Sequence, residues 1–203
     1  LLDAVPMSQD GARLLQPSVG RINPTPYGGA DTSTGNDVAK RGMIELYRAA
    51  AEERIASLAR DNDHRTLAVW AAECAERVLP LFEAERPHDR RPRAAIEALR
   101  EFAATGRFSM KAVRDASLSA HAAARSVPDG PARYAARAAG QAVATAHVPA
   151  HSRAAALYAA KAILALAPEN AAAVENERGW QYRRLAELTA KRGDAEAVRL
   201  FRR

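Results

Sequence analysis

Apolar residues return at steps of three and four from Val38 onward, and the runs are interrupted by Pro, Gly and capping side chains. That period marks amphipathic helices. A first stripe joins Ile44, Tyr47, Ala51, Ile55 and Leu58. A second joins Leu67, Trp70, Cys74, Val78 and Leu81, with Asp63 placed as an N-cap and Pro80 expected to kink or end the helix. Ile96, Leu99 and Phe102 line a third helix, which has Pro92 in its first turn and Gly106 just past its end. Ser109 caps the stretch MKAVRDASLSAHAAARS. Asp129 and Pro131 open the next helix, Pro149 the one after it, and Pro168 the next. Gly193 is expected to separate a last short helix, DAEAVRLFRR.

Strand-type alternation is absent, and about a quarter of the residues are alanine, the best helix former. The pattern predicts an all-α fold, a compact bundle of seven to eight mostly antiparallel, Ala-rich helices, because short connections make neighbours antiparallel. Alanine faces let helix axes approach closely. The segments do not align at a fixed period, so a bundle is expected rather than a solenoid. Residues 1–37 differ: QPSVGRINPTPYGGADTSTGND is rich in Pro, Gly, Ser and Thr. Such a stretch buries too little apolar surface to offset its ordering entropy and reads as a flexible N-terminal arm. Residues 38–203 read as a single all-helical domain. The chain begins on Leu1 and its first methionine is Met7.

Composition narrows the choice of partner. The formal net charge is +6 over 203 residues, which suits an anionic partner. Nucleic acid is disfavoured, because no ordered cluster of aromatic and basic residues and no zinc-finger spacing is present. Cys74 is the one cysteine, so no disulfide framework forms, which fits a reducing compartment. No apolar run approaches the roughly 20 residues a membrane span needs. No signal-peptide pattern opens the chain. A soluble cytoplasmic protein is expected.

Candidate chemistry centres on TAHVPAH, residues 145–151. His147 and His151 are one helical turn apart, with Pro149 between them. Proline in a helix interior costs about 3 kcal/mol, so one helix should end near His147 and the next begin near Pro149. The two rings then belong to different helices, and the HExxH pattern lacks its Glu. Both lie on small apolar faces, and His121 lies on the neighbouring SLSAHAAAR helix. If the three converge, they form a metal or proton-transfer candidate; the plainer expectation is three packed histidines, each paired to a carbonyl or a neighbour. Cys74 falls on an apolar stripe and is expected to be packed rather than nucleophilic. ERPHDRRPR is a dense basic loop in which Arg86, Arg90, Arg91 and Arg93 are candidate partner contacts. Trp70 is expected in the core, and Trp180, in ERGWQYRR, in the core or against a partner. No phosphate-binding glycine loop, nucleophile elbow or carboxylate pair stands out.

Several blocks resemble a bacterial family of immunity proteins, the five-like immunity family. They are DHRTLAVWAAECAERVLPLFE, RPRAAIEALREFA, SLSAHAAAR, RAAGQAVATAHVPAHSRAAALYAAKAI and ERGWQYRRL, which span a core of about 63–188. Family members often carry His where Gln141 stands here. The resemblance implies protection of a cell from a cognate toxin by non-catalytic protein–protein binding, with no catalytic residue and no cofactor to carry over. A basic binder of this kind would complement an acidic toxin surface. A small helical metal protein or enzyme built on His121, His147 and His151 is the alternative, and a basic nucleic-acid-associated protein a further one.

Overall fold

A computed structural model describes residues 50–201, with side chains through Gly193. The expected arm over 1–37 lies outside the described residues, as do Ile44 and Tyr47 of the first stripe. Seven helical segments make up the described chain: α1 (50–60), α2 (His64–Glu85), α3 (Arg91–Thr105), α4 (Met110–Arg125), α5 (Pro131–Ala144), α6 (His151–Leu166) and α7 (Ala171–Phe201). No strand occurs among them.

Local chemistry sets most of the helix ends. Asp63 caps α2 by accepting from Thr66 N at 2.8 Å. Ser109 caps α4 by accepting from Ala112 N at 3.4 Å. Gly106 closes α3 with φ +74°, the left-handed conformation that a Cβ disfavours. Pro131 sits at the start of α5, where its missing N–H is harmless. Asn170 Oδ1 accepts from Ala173 N at 3.1 Å ahead of α7.

Two expectations about helix ends need correction. Pro80 does not end α2, which runs on to Glu85. Pro80 is exposed, and the buried residues on both sides of it, from Leu67 to Phe82, hold the helix against the one lost backbone bond. Gly193 does not divide α7, which continues to Phe201. A single glycine weakens a helix by only about 1 kcal/mol, which the neighbouring turns outweigh. The starts at Pro149 and Pro168 also shift, since regular helix begins at His151 and Ala171.

The core lies between α2 and α5. Trp70, Cys74, Val78 and Phe82 of α2 are fully buried, and Ile96, Leu99 and Phe102 of α3 join them. α5 is enclosed by α2, α3, α4 and α6. Its buried residues are almost all Ala or Gly, which is what lets four neighbours crowd one helix. α7 packs on α2 and α6. Trp70 Nε1 donates to Gln181 O at 2.8 Å, and Gln181, wholly buried, donates through Nε2 to Ala156 O at 3.0 Å. One residue of α7 therefore ties both helices beneath it.

Candidate functional site

The close packing of α4 on α5 creates the site. Ser117 Oγ donates to Gly140 O at 3.0 Å. The His121 ring lies so near Gly140 that a Cβ there would stand 2.9 Å from its atoms. A side chain at position 140 would force the imidazole to shift from this crossing. Just past it, α5 ends and the chain turns through residues 145–150 into α6. His147 N bonds Ala144 O at 3.2 Å, and Ser152 Oγ donates to Pro149 O at 2.7 Å. From α2, His64 Nε2 donates to Thr145 O, which pins the joint from below. The expected break is there but falls earlier: α5 ends at Ala144, so His147 lies in the connecting turn rather than at a helix end, while His151 opens α6.

The three candidate histidines still meet. His121, His147 and His151 line one groove of about 310 Å3, together with Met110, Val113, Arg114, Ser117, Leu118, Gln141 and Ala144. The His147 and His151 rings are 5.5 Å apart between centroids and inclined by 40°. His151 Nδ1 donates to Gln141 Oε1 at 2.8 Å. His121 Nδ1 is buried without a hydrogen-bond partner. Only His151 therefore satisfies the expectation of a paired, packed ring, and His147 is exposed rather than turned inward. Among the described residues, no three His, Cys, Asp or Glu side chains are grouped as a metal ion needs. The trio converges as a lining, not as a ligand set.

Electrostatics in the groove run one way. Burial holds the His121 imidazole below its usual pKa, and the positive charges of Arg137, Arg125 and His151 push in the same direction. Burial and then His147 do the same for His151. Among the described residues, no carboxylate belongs to the lining.

The basic loop between α2 and α3 is different. Arg91 grips Asp89 with Nη2 at 2.6 Å, and Arg93 grips Glu83 at 2.6 and 2.7 Å. Arg90 reaches Glu97 at 3.1 Å, and Arg86 donates to Ser126 O at 3.1 Å. Each of the four arginines is surface-placed but occupied within the chain. Trp180 is half-buried beneath Arg77, whose guanidinium lies 4.0 Å from the ring centroid. Cys74 is fully buried, and burial pushes its thiol well above the ordinary range, so it packs as a small apolar group.

Several important residues escaped the sequence reading. Arg114 and Ser117 share the helix face of His121, seven and four positions ahead of it, and that spacing was the available signal. Glu177, Arg178 and Gln181 gave none, because a charged run in a helix ordinarily faces water. Here all three are buried, with Arg178 Nη1 donating to Gln181 Oε1 at 2.7 Å and Gln181 Nε2 to Glu177 Oε1 at 2.9 Å. Arg77 pairs Glu177 at 2.9 Å, and Glu52 pairs Arg178.

Comparison with known proteins gives one assignment. Residues 57–188 match the family described as Imm-5 like putative immunity protein. No curated protein and no solved structure matches the chain.

Proposed function

Since the chain belongs to that Imm-5 like immunity family, we propose that it neutralises a cognate toxin by binding it, without catalysis, in the cytoplasm of the cell that makes both. Family membership is the observation that carries this reading. The architecture supports it, since a bundle with a fully packed Ala-rich core is a rigid scaffold and rigid scaffolds bind at low entropic cost. The groove is consistent with it, because among the described residues its lining holds no carboxylate to act with the imidazoles in acid–base chemistry. No helix among the described residues is long and apolar enough to cross a membrane.

The net charge of +6 favours a toxin with an acidic surface. Arg86, Arg90, Arg91 and Arg93 would contribute at the rim of that contact, with Trp180 as a flanking anchor. Because three of these arginines already hold carboxylates, they would steer the encounter more than anchor it.

The test is expression of the neighbouring gene's product with and without this protein. The expected result is growth arrest by the neighbour alone, rescue on co-expression, and elution of the two as one complex. A harmless neighbour, or rescue without a complex, overturns the reading.

A further inference from the structure

The groove gathers what a carboxylate needs and nothing that would compete with it. Among the described residues, its lining holds one guanidinium, three imidazoles, a hydroxyl and an amide, with no Asp or Glu. Elsewhere on the surface, arginine clusters are internally neutralised, as at Arg91–Asp89, Arg93–Glu83 and Arg184–Glu73. Arg114 is exposed and makes no ion pair among the described residues. The lining also keeps apolar surface in water, with Met110 at 56% and Leu118 at 54% exposure, and exposed Val148 follows His147. A volume of about 310 Å3 is at the small end for a ligand pocket and suits an inserted side chain with its neighbours.

We propose that this groove receives an acidic side chain of the toxin, with its carboxylate seated against Arg114 and the imidazoles of His147 and His151 and the adjoining apolar residues of the toxin lying on Met110 and Leu118. The inference rests on the neutralisation reading above and names the chemistry of its contact. Hydrogen bonding makes the seat proton-linked. His151 commits its Nδ1–H to Gln141, so its Nε2 is an acceptor while the ring is neutral and becomes a donor only in the imidazolium. A carboxylate must therefore draw a proton onto the ring as it binds. The charged groups around the rings are Arg114 and Arg125 of α4 and Arg137 of α5, and the other two imidazoles take the same sign when protonated. An arriving anion offsets their mutual repulsion.

The probe is an acetylated, amidated Leu-Asp-Leu tripeptide, with its Leu-Asn-Leu counterpart and a short single-stranded oligonucleotide as comparisons. Each is titrated into the full chain while the imidazole nitrogens are followed by NMR. The expected result is that the Asp peptide perturbs His147 and His151, binds about tenfold tighter than the Asn peptide, and binds tighter at pH 6 than at pH 8. Arg114→Ala should remove about tenfold of that affinity without moving the urea midpoint, whereas Lys111→Ala, the same charge change on the same helix, should not. Equal binding of the Asp and Asn peptides, or unmoved imidazoles, overturns the proposal. So does an oligonucleotide that perturbs the rings at lower concentration than the peptide, which would make the groove a phosphate seat. In the toxin complex, Arg114→Ala should weaken binding about tenfold, and an unchanged affinity overturns the proposal. If the neighbouring product does not bind at all, the neutralisation reading fails, and the peptide titration alone decides whether the groove takes a carboxylate.

Discussion

His121 and His151 owe their altered acidity to where α4, α5 and the joint place them. Both imidazoles are held below the usual histidine pKa, by burial first and by neighbouring positive charge second. As pH falls below the ordinary value of 6.5, the unfolded chain takes up protons that the native groove refuses. Stability is therefore full above 6.5 and declines as pH falls from there through the lower native pKa. The urea midpoint should be lower at about pH 5.5 than at about pH 7.5, and His121→Asn should shrink the difference. Equal midpoints for the parent protein would contradict the burial assigned to these rings. A carboxylate seated as proposed would favour the protonated His151, so acid should destabilise the complex less than the isolated protein.

Among the elements, α7 shows how polar residues fasten a helix that apolar contact alone holds weakly. Its buried residues include the aliphatic Leu185 and Val174 and the polar Glu177, Arg178 and Gln181, with Trp180, Tyr182 and Leu188 partly buried against the core. Gln181 is the hinge of that network, since its amide serves Arg178, Glu177 and Ala156 O at once. Gln181→Leu should cost about 3 kcal/mol, because each buried partner loses a bond that water cannot replace. Arg90→Ala, at an exposed ion pair, should stay within about 0.5 kcal/mol. Urea denaturation of the two variants side by side checks the contrast, and similar losses would mean the α7 network is not the fastening it looks to be.

For the molecule as a whole, charge acts on association rather than on fold. A net charge of +6 spread over an arginine-rich surface draws an acidic partner from a distance. Ordinary salt shortens that reach to roughly 10 Å. The association rate with the toxin should fall about tenfold between 50 and 500 mM sodium chloride, with a smaller change in the dissociation rate. Stopped-flow mixing measures both. A rate indifferent to salt would remove the basic loop from the encounter and leave the groove as the recognition surface.

Helix number and helix faces were legible in the chain itself. Steps of three and four placed Leu67, Trp70, Cys74 and Val78 on one buried face, and Asp63, Ser109, Gly106 and Pro131 marked ends that the structure keeps. These features are local, set by a few bonds within one turn, so sequence is enough to read them. The break between His147 and His151 belongs with them, because a proline's missing N–H and ring act on the few residues beside it. Pro80 did not end α2 and Gly193 did not divide α7 for the converse reason: a local penalty yields when packing along the whole helix opposes it. The groove, the unpaired Arg114 and the buried Gln181 network were decided only in three dimensions. Each depends on which helix lies against which, and a close approach such as His121 over Gly140 joins residues nineteen positions apart whose meeting no periodicity records.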